Sequence, residues 1–323
     1  MGIFLFILGG FYAPVGWIND ILIPETKSVY VATMVGVYES RDFGDSFKEM
    51  NEGFNDLHIN SVETDKHGRL YAGSDDGLYI LKDKKWKKVL NKPFIKKIMA
   101  LDKIILVGTG VGKVYRSPDK GKSWNCVMDI SSSITKIIFF NKKLYLSSYN
   151  NGIYESCDLG LSWKRIEFEG KRIRDILPSK DCFFIASEEG LFKGSNRNYQ
   201  ALEKGLTTKD VRVITKDKKK NTLYLGSYIG GFFVSYDYGG KWQEENTNLS
   251  NTNIRDIAIS GNSIFVATED GLYKKKEKEK KFKRISKGLT FLAPPPLSKS
   301  PEEIRKRKER LGIKPPLEGG GGH

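Results

Sequence analysis

Three arginines stand at matching places in this 323-residue sequence, each as the second residue of a short apolar segment. They are Arg174 in Ile173-Arg-Asp-Ile176, Arg212 in Val211-Arg-Val-Ile214 and Arg255 in Ile254-Arg-Asp-Ile257. Lys96 holds the same place in Ile95-Lys-Lys-Ile98, and Arg172 lies just before Arg174. A guanidinium grips a carboxylate through two parallel N–H bonds. A convergence of these side chains therefore suits a carboxylate, an acidic peptide or the terminal carboxylate of a polypeptide. The competing expectation is that they pair with Asp175, Asp256 and nearby turn acids and serve only to knit the fold. A second set, Asp42, Asp119, Asp158 and Asp237, resembles paired catalytic acids. Each of these sits in a Ser-x-Asp-x-Gly turn, where the carboxylate can accept N–H bonds from its own loop, so a structural role is expected.

The elements that must position these residues come from an internal repeat. Seven strand–Gly turn–strand copies begin at Tyr30, Tyr71, Leu106, Tyr145, Phe184, Tyr224 and Phe265, 35 to 41 residues apart. An apolar segment precedes each copy, and an aromatic opens a more polar strand after it: Phe47, Trp86, Trp124, Trp163, Tyr199, Trp242 and Phe282. Four short strands at this period describe a propeller blade, and no segment shows the 3.6-residue period of a helical solenoid. The expected fold is all-β, a seven-bladed β-propeller of four-stranded antiparallel blades over residues 18–289.

Blades 1, 3, 4 and 6 join their last two strands through Ser40-Arg-Asp-Phe-Gly-Asp-Ser-Phe47, Ser117-Pro-Asp-Lys-Gly-Lys-Ser-Trp124, Ser156-Cys-Asp-Leu-Gly-Leu-Ser-Trp163 and Ser235-Tyr-Asp-Tyr-Gly-Gly-Lys-Trp242. Gly44, Gly121, Gly160 and Gly239 supply a left-handed position, and Trp124, Trp163 and Trp242 are expected to pack between blades. These loops resemble the Asp-box (BNR) β-propellers. Within them the sequence is most similar to the seven-bladed photosystem II stability/assembly factor family. That resemblance implies a non-catalytic protein- or peptide-binding scaffold with an arginine-rich patch, matched here to Arg174, Arg212 and Arg255. It does not make the host photosynthetic. The Asp-box also occurs in sialidases and xyloglucan hydrolases, so the box implies fold more than function.

In such a ring the first strand of each blade lines the channel, and the mouth carries Asn19, Asn60, Lys96, Thr135, Arg174, Arg212 and Arg255. Tyr149 and Tyr228 lie in turns on that face, beside acids such as Asp75, Glu188, Glu189, Glu269 and Asp270. The Asp-boxes fall on the opposite face. A sialidase-like reading would use the three arginines with Tyr228 as nucleophile, Glu188 as its activator and Asp20 as acid. Sialidases resemble six-bladed rings, however, and the expectation here is no enzyme. No Gly-rich phosphate loop or Ser-His-Asp set is visible, and three His and three Cys leave no metal site or disulfide framework. No cofactor is implied.

The formal charge of +15 invites a nucleic-acid reading. The lysines are instead dispersed over hairpins, as in Lys82 to Lys88, Lys216 to Lys220 and Lys274 to Lys283, where they blunt strand edges. No basic track with interleaved aromatics is evident, so nucleic acid is disfavoured and an anionic membrane surface fits better.

Residues 1–17 contain the apolar run Ile3 to Ala13, read either as a signal or anchor or as an extra strand or docking patch. The first reading places the protein at an exported or membrane-associated, extracytoplasmic location; the second leaves it cytoplasmic. Residues 290–323 hold Pro294 to Pro296, a short basic helix expected from Ser300 to Gly312, and a Gly-rich end. The expected function is an assembly or stability factor for a membrane-associated complex. The alternatives are a glycan-binding or glycan-hydrolysing propeller and a permanent structural subunit.

Overall fold

The computed structural model describes residues 17–166, 168, 172–195, 198–217 and 220–289; the leader and the expected Ser300–Gly312 helix lie outside the described residues. Twenty-eight strands form seven four-stranded antiparallel sheets, each in plain sequence order. Blade 1 comprises Ile18–Leu22, Val29–Thr33, Gly36–Ser40 and Lys48–Glu49. The inner strands of blades 2 to 7 are Ile59–Thr64, Ile95–Ala100, Ile134–Phe140, Ile173–Pro178, Val211–Lys216 and Ile254–Ser260. The protein is a seven-bladed β-propeller.

The second strands are buried on both faces, from end to end in Leu70–Ser74, Ile105–Thr109, Leu223–Ser227 and Ser263–Thr268, so a blade has two apolar faces and no solvent side. The core follows from this. It is divided into slabs, each shared by two neighbouring blades. Trp86 of blade 2, for example, stacks on Phe54 from the preceding loop at 4.7 Å between ring centres. The closing slab sets Ile18, Val31 and Phe47 of blade 1 against Phe265, Leu272 and Leu289 of blade 7.

Among the described residues no strand is exchanged between the first and last blades. The ring is closed by that slab and a few directed bonds. The Ile21 N–H donates to Asp256 Oδ2 at 2.8 Å, the Phe47 N–H to the Lys287 carbonyl at 2.9 Å, and Lys274 Nζ to the Phe43 carbonyl at 2.7 Å. The Phe47 contact recurs around the ring. Trp86, Trp242 and Phe282 donate their N–H to the carbonyls of Glu52, Lys204 and Thr247 at 2.8, 2.9 and 3.0 Å. In each case the residue after the accepting carbonyl is left-handed: Gly288 (φ 87°), Gly53 (φ 100°), Gly205 (φ 88°) and Asn248 (φ 68°). This latch explains why Lys204-Gly-Leu-Thr207 and Lys287-Gly-Leu-Thr290 match in sequence.

Two lysines of the Lys274 to Lys283 run do not sit where the charge pattern places them. Lys275 is buried, ion-paired with Glu245 and flanked by the rings of Phe232 and Phe282. Lys274 lies over Phe43 and Phe265 in the closing seam, where burial lowers its pKa. Both belong to interblade contacts, because long lysine stems pack well on aromatic faces.

A Cβ on Gly288 would stand 2.0 Å from the Phe47 carbonyl oxygen. Gly288→Ala is therefore expected to lower unfolding free energy by about 2–4 kcal/mol in denaturant titration. Gly261→Ala shares the left-handed backbone (φ 57°) but meets nothing within 4 Å. It should cost only about 1 kcal/mol.

Candidate functional site: the upper channel mouth

In all seven blades the ladder between the inner and second strands skips one residue. Pairing jumps from Ile18 to Asp20, Ile59 to Ser61, Ile95 to Lys97, Ile134 to Lys136, Ile173 to Asp175, Val211 to Val213 and Ile254 to Asp256. The skipped residues are Asn19, Asn60, Lys96, Thr135, Arg174, Arg212 and Arg255. A bulge leaves its extra residue out of the ladder and re-aims its side chain. Here the bulges supply a ring of side chains at the mouth.

A second ring surrounds the first. The residue before each inner strand is Trp17, His58, Phe94, Ser133, Arg172, Asp210 or Asn253. In six blades its carbonyl accepts an N–H from the turn joining strands 2 and 3: from Met34, Asp75, Gly110, Tyr149, Glu188 and Tyr228 in turn. These bonds fix the turn residues beside the bulge residues.

The arginines form two linked clusters. In the first, Glu188 accepts hydrogen bonds from Tyr149 Oη (2.6 Å), Arg172 (2.7 Å) and Arg174, and the Arg174 guanidinium lies 5.0 Å from the Tyr149 ring centre. Burial opposes ionisation of Glu188, but the Arg172 and Tyr149 hydrogen bonds and the Arg174 charge prevail and hold its carboxyl below the usual range. In the second, Arg212 lies 4.2 Å from the Tyr228 ring centre and Arg255 4.8 Å from that of Trp17. Each reaches Glu269 only at long range, 3.9 and 3.7 Å. Glu269 is engaged instead by Asn253 Nδ2 at 2.7 Å, while Arg255 bonds Asn19 Oδ1 at 3.0 Å.

The second cluster is short of negative charge. Burial, then repulsion from Arg212 and Arg174 against the attraction of Glu269, lowers the Arg255 pKa to about 10. Arg212 shifts the same way, through burial first. The Nε atoms of Arg174, Arg212 and Arg255 are buried with no hydrogen-bond partner among the described residues, as is Oδ1 of Asp210. Burial raises the Asp210 pKa despite the nearby Arg174 and Arg212. The arc therefore gathers three guanidiniums whose Nε donors, and one carboxylate whose Oδ1, have no hydrogen-bond partner among the described residues.

Lys96 is not part of this arc. Its Nζ is bound by Asn60 Oδ1 at 2.8 Å and Asp75 Oδ1 at 3.4 Å, and Asp75 also contacts His58. Of the acids expected to pair with the mouth arginines, the turn acids Glu188 and Glu269 do, and Asp175 and Asp256 do not. Asp20, Asp175 and Asp256 point the other way along each strand and accept the backbone N–H of Val62, Ile214 and Ile21 in the next blade at 3.0, 3.1 and 2.8 Å. The Tyr228–Glu188–Asp20 set does not assemble either. Glu188 binds Tyr149, and Asp20 lies deeper, in the channel. Burial and the Glu188 bond raise the Tyr149 pKa, the wrong direction for a nucleophilic phenolate.

Below the mouth lies a charged belt that sequence reading missed, built on the residue after the bulge in five blades (Asp20, Lys97, Lys136, Asp175 and Asp256) and on Glu63 of blade 2. Lys136 bonds Asp175 at 3.0 Å and feels Asp256 and Asp20. Burial, then like charge from Asp20, pushes Asp256 up to about 7. Glu63 also rises to about 7, through burial and the charge of Asp20, against the Thr64 N–H bond and Lys136. Lys136 keeps 30% side-chain exposure, whereas its partner Asp175 is buried at 5%.

On the opposite face the Ser-x-Asp-x-Gly loops are self-contained. Asp119 accepts from Ser117 Oγ (2.8 Å), the Ser123 N–H (2.8 Å) and Ser123 Oγ (2.6 Å), which holds its pKa at about 2. Asp42 and Asp158 are bound alike, and Asp237 accepts from Ser235 Oγ and the Lys241 N–H. The residue before each glycine is also left-handed: Phe43, Lys120, Leu159 and Tyr238. The glycines face the preceding blade; a Cβ on Gly160 would stand 2.7 Å from Leu106 Cδ2. Trp242 is buried in the slab of blades 5 and 6, while Trp124 and Trp163 are half-buried against theirs.

Neither a family model nor a curated protein matches the sequence. Solved structures do. A GH74 xyloglucanase from Xanthomonas campestris aligns with TM-score 0.72 at 13% identity, over 85% of this protein and 55% of that one. An ancestral GH74 enzyme aligns with TM-score 0.68 at 18% identity, over 81% and 45%. The sequence thus spans about half the length of these enzymes. YCF48 bound to D1 peptide aligns with TM-score 0.64 at 16% identity, over 81% of this protein and 94% of that one. At these identities the likeness is one of fold.

A raised carboxylate pKa means that the folded protein holds more protons than the unfolded state between the two values. The stability these groups contribute is complete below about pH 4 and lost as pH rises through about 7. Glu63→Gln is expected to recover about 1–3 kcal/mol of the stability lost between roughly pH 5 and 8, measured by denaturant titration at each pH.

Proposed function

We propose that this propeller is a non-catalytic scaffold that holds an acidic peptide segment or the C-terminus of a partner protein at its upper mouth. In this reading it serves as an assembly or stability factor for a membrane-associated complex, with the apolar Ile3 to Ala13 run bringing it to the membrane's extracytoplasmic face. The observation that carries the reading is the state of Arg212 and Arg255. Both guanidiniums stack on aromatic rings, their Nε donors have no partner among the described residues, they share Glu269 only at 3.7–3.9 Å, and Arg212 feels Asp210 without a hydrogen bond to it. Stacking and burial hold both planes in place before a ligand arrives, so little side-chain freedom is lost on binding. The peptide-bound YCF48 structure, a propeller of nearly the same length, supports this reading by analogy.

A hydrolase reading rests on the GH74 likeness, which at 13–18% identity is one of fold; its sialidase-like form would need a Tyr activated by a base, and burial with the Glu188 bond raises the Tyr149 pKa instead. A fluorogenic xyloglucan oligosaccharide or sialoside is expected to remain intact with the protein; turnover abolished by Tyr149→Phe would establish catalysis instead.

Binding of a fluorescein-labelled peptide ending in two aspartates is expected to weaken about tenfold or more with Arg212→Ala and with Arg255→Ala, and to fall steeply with salt. Asp237→Asn, on the opposite face, should leave the affinity unchanged. Undiminished affinity in the Arg212→Ala/Arg255→Ala double variant would remove the site.

A further inference from the structure

We propose that the mouth has a second subsite, an aromatic shelf on blades 1 to 3 that takes an apolar side chain of the same acidic peptide. This rests on the arginine arc being the carboxylate site. The residues that precede the inner strands change character around the ring. Blades 1, 2 and 3 carry Trp17, His58 and Phe94 in succession, whereas the remaining blades carry polar or charged groups. The aromatic half therefore faces the arginine half across the channel.

Phe94 is the centre of the shelf. It is 43% exposed, and the equally open Val111 (47%) stands beside it, because the Gly110 N–H donates to the Phe94 carbonyl at 2.7 Å. The Phe94 backbone is left-handed, with φ 56°. A bulky residue there is disfavoured, and glycine or asparagine is the usual solution. Among the other bulky left-handed residues, Phe43 meets Phe265 edge-on at 5.2 Å, Tyr238 meets Phe184 at 5.0 Å and Ile229 is buried, while Leu159, on the opposite face, is 40% exposed like Phe94. Phe94 gains no comparable burial. What distinguishes Phe94 is its place: an open aromatic surface directly beside the mouth, within reach of whatever fills it.

The charges on this side are already neutralised. Lys96 is bound by Asn60 and Asp75, and Asp75 also holds His58. What remains available is apolar surface. Trp17 joins the two halves, since its ring carries Arg255 at 4.8 Å while its carbonyl holds the Met34 turn of blade 1. An extended peptide with its carboxylate at Arg212 and Arg255 can continue over Trp17 toward Phe94. A Phe, Leu or Met side chain would there cover surface that water now wets.

The test uses two labelled peptides ending in aspartate, one otherwise of Gly and Ser, the other with a single Phe moved residue by residue away from the terminus. Phe94→Gly is the informative variant, because glycine relieves the left-handed strain and folding is not impaired. One Phe position is expected to tighten binding to the native protein about tenfold. Phe94→Gly should abolish that gain and leave the Gly/Ser peptide unaffected, while Arg212→Ala should weaken both. Equal affinity for the two peptide types at every Phe position, or a gain that survives Phe94→Gly, would overturn the shelf and leave the arginine site standing. Failure of the native protein to bind either peptide would overturn both. Sedimentation velocity on the same samples covers the remaining occupant. A dimer lost in Phe94→Gly with peptide affinity unchanged would assign the shelf to self-association and overturn the peptide subsite.

Discussion

Closure of the ring between blades 7 and 1 is the contact on which every other feature depends. A blade with two apolar faces cannot stand alone, so each slab of core is completed only by a neighbour. Here the last slab is completed, among the described residues, without an exchanged strand. Packing of Phe47, Ile18 and Val31 against Phe265, Leu272 and Leu289 is reinforced by the Asp256–Ile21, Lys287–Phe47 and Lys274–Phe43 bonds. The first of these bonds joins elements that also shape the mouth. Asp256 follows the bulge that presents Arg255, and Ile21 lies on the strand that presents Asn19. The Arg255–Asn19 bond crosses the same seam. Stability and site geometry are coupled there.

The two faces use their polar groups differently. On the lower face each loop aspartate is satisfied by its own turn, so the carboxylates are structural and chemically quiet. On the upper face the arginines of the second cluster hold their shared acid only at long range. That arrangement costs stability, as the lowered Arg255 pKa shows, and it persists because aromatic stacking offsets part of the cost, roughly 0.5–2 kcal/mol per pair. The proposed anion site rests on that incompletely compensated charge. In the belt below, burial first and then the charge of Asp20 raise Glu63 and Asp256 by more than Lys97 and Lys136 offset.

Much of this is legible in the sequence because the repeat fixes register. Once seven copies are aligned, the second residue of each inner strand is a structural column, and Arg174, Arg212 and Arg255 fall into it. The bulge that aims this column leaves no residue signature, since Asn, Lys, Thr and Arg all occupy it. The adjacent column reads as ordinary strand, although Asp20, Lys97, Lys136, Asp175 and Asp256 stand there and form the channel belt. Trp17 reads as the end of the apolar leader, yet it is the stacking partner of Arg255. The choice of Tyr149 over Tyr228 as the Glu188 partner depends on which turn leans toward which blade, and periodicity does not carry that information. Composition misplaces Lys274 and Lys275: a lysine run reads as solvated, but alternation along a strand packed on both faces sends Lys274 to the blade 1 seam and Lys275 to the blade 6 side.

The orphan Nε–H groups of the arc give the most direct test. In 15N-resolved NMR spectra of the protein, the Nε–H resonances of Arg174, Arg212 and Arg255, assigned by single Arg→Lys variants, report whether a carboxylate reaches them. Addition of an acidic C-terminal peptide is predicted to shift these three signals together and saturably, while the backbone signals of the Ser-x-Asp-x-Gly loops stay fixed. Saturable binding that moves the loop face and leaves the three Nε–H signals unchanged would contradict the assignment of the mouth as the binding site.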